Sequence, residues 1–106
     1  MKSLVYLAMP YSIGNHEVNV CQSILVSDRL LELGYIPFNP LLSHFWDVIS
    51  PKSKDVWMEI DKTILRRCDI LLRMGGESEG GDEEVELAKE LGIRVCYSLE
   101  ELNAVE

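Results

Sequence analysis

What most limits the fold of this chain is a switch of hydrophobic period that repeats along it. Leu4 to Met9 is a short apolar run stopped by Pro10, which has the length and character of a buried strand. From Glu17 to Leu33 the apolar residues Val18, Cys21, Ile24, Leu25 and Leu31 recur at helical spacing instead. Asn15 or Ser12 is placed to cap this helix, and Gly34 to end it. Strand-like runs return at Tyr35–Phe38, Asp69–Arg73 and Ile93–Tyr97, and helical segments at Ser53–Arg67 and Asp82–Leu91. Ser98-Leu99-Glu100-Glu101 matches a capping box opening a last short helix. Leu41–Lys52 has no clean period and reads as a loop, with room for a helical turn, over the sheet edge. Such alternation predicts a single α/β domain over residues 1–106, with a mostly parallel sheet and helices on both faces. Ligands of these sheets bind beyond the carboxyl ends of the strands. The loops Met9–Asn15, with Met9 and Pro10 at its root, and Met74–Gly81 are therefore the places to look for a site.

Bulk properties narrow the partners. At 106 residues there is material for one modest core, and a chain this short commonly completes a site by self-association, so a homo-oligomer (dimer or larger) is expected. The net charge of −8 repels a phosphate backbone and argues against binding a nucleic-acid polymer. Arg66, Arg67 and Arg73 are the basic cluster worth noting. Cys21, Cys68 and Cys96 are odd in number, widely spaced and set in apolar stretches, which predicts core thiols rather than disulfides or a zinc site. Met1-Lys2-Ser3 runs directly into an apolar segment too short for a signal peptide or a membrane span, so no membrane association and a cytoplasmic location are expected.

The chemistry concentrates in two carboxylates that point the wrong way. On a helical wheel, Val85, Leu87, Ala88 and Leu91 define the apolar arc of the Asp82–Leu91 segment, and Glu84 falls near its centre. Acids at a helix start complement its dipole, which accounts for Asp82, Glu83 and Glu86. An inward carboxylate is costly unless it is paired or functional. Asp61 lies similarly between Trp57 and Leu65, on a helix whose buried side is marked by Val56, Trp57, Ile60, Ile64 and Leu65; an edge residue paired with a nearby arginine is the plainer reading. A carboxylate at a helix N-terminus is expected to stay ionised, which suits a nucleophile. Attack on an electrophilic sugar carbon fits such a group, because an adjacent anion stabilises an oxocarbenium-like transition state.

Val5-Tyr6-Leu7-Ala8, then Asp61 and Asp69, then Ser78-Glu79-Gly80-Gly81-Asp82-Glu83-Glu84 together resemble the nucleoside 2-deoxyribosyltransferase superfamily, which includes 2′-deoxynucleoside 5′-phosphate N-hydrolases. The order and spacing agree over nearly the whole chain, although each motif alone is short. The resemblance implies a Rossmann/flavodoxin-like three-layer sandwich with four or five strands, acting on a small nucleoside or nucleotide without cofactor or metal. It implies Glu84 as the nucleophile that attacks C1′, Tyr6 as its hydrogen-bonding partner, and Asp61 as a group that positions the substrate and assists proton transfer. Ser78 would contact the 5′ end of the sugar, and serine there is similar to the monophosphate hydrolases. The acids Glu77, Glu79, Asp82 and Glu83 crowd the same loop; amides at Gly80 and Gly81, or Arg73, would offset them for a phosphate. Set beside that family, the chain is expected to be shorter than most members and without a long C-terminal extension.

Other signals carry less. Gly75-Gly76 before an acidic helix start is also similar to phosphoribohydrolases that release cytokinin-like bases, whose loop reads GGxGTxxE, but the spacing is stretched and the threonine absent. Ser43-His44-Phe45-Trp46 is either an aromatic wall for a base, with His44 as a polar contact, or a loop covering core. A GxSxG elbow, a P-loop and a GxGxxG fingerprint are absent. The rival from another class is a non-catalytic nucleotide-binding module.

Overall fold

The computed structural model describes residues 2–105. Four strands, β1 (Leu4–Ala8), β2 (Ile36–Phe38), β3 (Ile70–Arg73) and β4 (Arg94–Cys96), form one parallel sheet in the order β2-β1-β3-β4. Tyr6 stands level with Phe38 on one side and Leu71 on the other. The helices are α1 (His16–Glu32), α2 (His44–Ile49), α3 (Lys54–Leu65), α4 (Glu79–Glu90) and α5 (Leu99–Val105). The chain leaves β1 towards β2 and then crosses back to β3, so the crevice between the carboxyl ends of β1 and β3 is a topological switch point.

Strand alternation splits the core into two layers. Val5, Leu7, Met9, Ile70, Leu72 and Cys96 pack with Leu30, Tyr35 and Leu102 on the α1/α5 face. Tyr6, Ala8 and Leu71 point the other way, against Leu65, Val85 and Ala88 of α3 and α4. The central strands β1 and β3 are covered on both faces, which is why they read as unbroken apolar runs. At their amino ends Asp69 joins them: its carboxylate accepts from the Leu4 amide at 2.8 Å, and its own amide donates to Leu4 O at 2.9 Å.

The structure departs from the sequence reading at four places. First, α1 buries Val20, Ser23 and Leu30, while Val18, Ile24, Leu25, Leu31 and Cys21 are exposed. Apolar residues lie on several sides of this helix, so period alone does not choose one. On the side that is buried, Leu30 packs into the core, and the Asn39 amide donates to Ser23 Oγ at 2.9 Å and Ser27 Oγ at 3.2 Å. Cys21 is consequently not a core thiol, whereas Cys68 and Cys96 are buried.

Second, the segment read as a loop is helical: a 3-10 turn, Pro40–Ser43, runs into α2. Asn39 Oδ1 accepts from the Leu41 amide at 3.0 Å, and Pro40 stands in the first turn, where its missing N–H costs nothing. Third, α4 begins at Glu79 rather than Asp82, because Ser78 caps it by accepting from the Gly81 amide at 3.0 Å. Two glycines inside its first turn hide that start from a reading of propensity. Fourth, Val56 of α3 and Leu91, which caps α4 rather than lying on its buried arc, are exposed, and Leu65 is the fully buried position of α3.

Candidate active site

A cavity of about 530 Å³ opens at the switch point. Four segments supply its walls: Met9, Tyr11, Ser12 and Ile13 after β1; Leu41, Ser43, His44, Asp47 and Lys52 around α2; Trp57, Met58 and Asp61 on α3; and Glu77 to Gly81 with Glu84 on the loop and α4. This volume lies within the range of small-molecule sites.

Glu84 forms part of the floor. It is 7 % exposed, on the same face of α4 as Val85 and Ala88, and the Tyr6 hydroxyl donates to its Oε2. Tyr6 reaches it because alternation sends this residue, with Ala8, to the α3/α4 face. Burial pushes the Glu84 carboxyl up to about 7; the Tyr6 hydrogen bond opposes the rise, Asp61 adds to it, and Lys62 and Arg73 oppose it. Burial likewise pushes Asp61 up to about 6. The Tyr6 phenol is held far above its ordinary range, first by burial and then by the charges of Glu84 and Asp61, so it remains a donor. The expectation that a helix N-terminus keeps Glu84 ionised is corrected: α4 starts at Glu79, Glu84 lies beyond the first turn, and desolvation outweighs the dipole.

The structure distributes the remaining candidates unevenly. Met9, Ser78, Gly80, Gly81 and His44 line the cavity. Ser78 does so while its oxygen caps α4. Pro10 does not line it but packs beneath the loop: Gly75 has φ +91°, and a Cβ there would stand 2.8 Å from Pro10 Cδ. Arg73 is also outside the lining, and its guanidinium is bonded to the loop backbone.

Sequence reasoning missed Tyr11, Asp47, Lys52, Trp57 and Met58 as cavity residues. The Tyr11 hydroxyl lies 2.6 Å from His44 Nδ1, and its ring stacks on His16 with centroids 4.5 Å apart, tying the loop after β1 to α2. Trp57 Nε1 donates to Asp47 Oδ1 at 2.7 Å, and the Lys52 amide donates to the same oxygen at 3.0 Å. These bonds, the Lys52 amide first, hold the Asp47 carboxyl below its usual range. Tyr11 stood in a segment already marked by topology, but Trp57 was assigned to the core because an aromatic at helical spacing has the same signature there. Among the described residues, no group of three or more His, Cys, Asp or Glu side chains is arranged to hold a metal ion. No helix among them is long and apolar enough to cross a membrane.

With this geometry in view, the chain belongs to a family described as a domain of unknown function (DUF7768), whose match spans residues 3–98. No curated protein matches it. Its structure is similar to that of a 2-deoxyribosyltransferase from the psychrotolerant bacterium Bacillus psychrosaccharolyticus. The TM-score is 0.64 and the identity 20 %, over 88 % of this chain and 69 % of that one. The two chains thus share one α/β fold.

Proposed function

We propose that this protein cleaves or transfers the N-glycosidic bond of a (deoxy)nucleoside or nucleoside 5′-monophosphate. The observation that carries the reading is a buried Glu84, held by Tyr6 beside Asp61, at the floor of a nucleoside-sized cavity. Binding alone does not require a desolvated carboxylate, whose burial is unfavourable. In its ionised form Glu84 attacks C1′ as the bond from C1′ to the base nitrogen breaks. Its Oε2–Tyr6 bond orients the carboxylate and spreads its charge. The departing base takes a proton, for which Asp61 is the donor: burial keeps part of its population protonated near pH 6. Water or a second base then attacks C1′, breaking the ester bond to Glu84 and giving its proton to Asp61, which restores both carboxyl groups. Ser78, Gly80 and Gly81 face the 5′ end, and the Tyr11–His44 wall, with Trp57 and Met58, takes the base. Self-association fits the same reading, because Leu42, Phe45, Val48 and Ile49 stand exposed on the segment that walls the cavity.

The test is release of free base from a panel of ribo- and deoxynucleosides and their 5′-monophosphates, followed by chromatography with and without an acceptor base. Glu84→Ala is expected to reduce release at least about a thousandfold. A 2-fluoro-2-deoxy nucleoside is expected to leave a covalent adduct on Glu84. Tight reversible binding with neither adduct nor release would identify a non-catalytic nucleotide-binding module instead.

A further inference from the structure

Arg73 ends β3 at the edge of the switch point, is 9 % exposed, and lies outside the cavity lining. Its Nη1 donates to Met74 O at 2.8 Å, its Nη2 to Gly76 O, and its Nε lies 3.4 Å from Asp82 Oδ1. One planar group thereby fastens both ends of the turn that contains Gly75 and Gly76, each at positive φ. The α4 backbone closes directly over the guanidinium: a Cβ on Gly81 would stand 2.8 Å from Arg73 Nε and 3.1 Å from Cζ. The glycine at 81 is therefore required by the arginine beneath it, independently of any ligand.

We propose that Arg73 is a positioning residue for Glu84. It braces the loop 74–78 and the first turn of α4 from beneath, and it fixes a positive charge under the helix that carries Glu84. The charged and titratable groups that act on Glu84 are Tyr6 from β1, which is hydrogen-bonded to it, Asp61 and Lys62 from α3, and Arg73 from β3. Arg73 differs from Lys62 in being fixed by hydrogen bonds on every side of its fork, so its charge is held in place rather than solvated. The Asp82 partner is a minor element, since that carboxylate is largely exposed. The proposal takes from the proposed function only the importance of Glu84.

Carbon-detected NMR titration of the Glu84 side chain in the free protein tests the charge, and amide hydrogen exchange across Gly76–Gly80 tests the brace. Arg73→Gln is expected to raise the Glu84 midpoint by about half a pH unit or more, and Arg73→Lys to leave it nearly unchanged. Both variants are expected to speed loop exchange roughly tenfold, because neither reproduces the bidentate fork. Gly81→Ala keeps the arginine but displaces it, and it serves where Arg73→Gln does not fold; both readouts are expected to move in it too. An unmoved midpoint in the charge-neutral or displaced variant, or unchanged loop exchange, overturns the proposal. Since neither readout uses a substrate, absence of base release would defeat the proposed function and leave this inference standing.

Discussion

The two faces of the sheet bury the same strands, each against a pair of helices, yet to opposite ends. On the α1/α5 face, Val5, Leu7 and Leu72 meet Leu30, Tyr35 and Leu102 in a layer dominated by aliphatic side chains. On the α3/α4 face, Tyr6 from the same strand meets Glu84, with Asp61 nearby, and an ionisable cluster occupies space that aliphatic packing would otherwise fill. The first arrangement stabilises the fold by removing apolar surface from water. The second opposes folding whenever the carboxylates are charged, because their burial is only partly offset by Tyr6 and the neighbouring cations. One layer holds the domain together, and the other carries stored instability where chemistry is expected.

That contrast can be broken from its stable side first. Leu72→Ala removes a fully buried side chain from the aliphatic layer and is expected to destabilise by about 3 kcal/mol, seen as a lowered urea midpoint. Loss of less than about 1 kcal/mol would mean that the layer is not closely packed. On the other face the sign reverses. Glu84→Gln is expected to stabilise by about 2 kcal/mol at pH 8, or roughly 10 °C in Tm. Glu84 titrates at about 7 in the fold against an ordinary 4.5, so protonated Glu84 favours the native state below pH 4.5, and that advantage disappears as pH rises through 7. The gain from glutamine should accordingly vanish near pH 4, and a pH-independent difference would show that Glu84 is not desolvated. The smallest effect sharpens the link to activity. Tyr6→Phe removes the bond that favours the ionised form and is expected to lower kcat/KM about tenfold. It should also move the acid limb of the pH profile, expected near 7 in the parent, to higher pH; a fall in kcat/KM with an unmoved limb would leave Tyr6 a packing role only.

Much of this was legible before any coordinates. The alternation of periods predicted the parallel sheet and every strand, and the helical wheel placed Glu84 inward, because burial of a face imposes its period on the residues. Ser98 shows the same economy: its hydroxyl accepts from the Glu101 amide at 2.9 Å, while Glu101 reaches back to the Tyr97 amide. Local chemistry of this kind needs only neighbours in sequence.

What escaped the sequence depends on residues far apart in it. Asn39 meets Ser23 and Ser27 on the buried side of α1, and the same side chain caps the helical segment after β2. The union of Tyr11 with His44, and of Trp57 with Asp47, joins walls that share no periodic signal. Arg73, at the end of its strand, was a candidate to offset the loop's acids for a phosphate, whereas the fold directs its fork onto the backbone of the loop that follows. The protonation of Glu84 was misjudged for the same reason. A helix dipole can be inferred from a sequence, but desolvation depends on what the other elements place around the carboxylate. By itself the sequence determined the alternating elements, the loops where a site should lie and the inward carboxylate, since these follow from hydrophobic period and turn chemistry. Only the tertiary structure decided which polar groups meet and how strongly each is charged, since pairing and solvent exclusion are properties of contacts between elements.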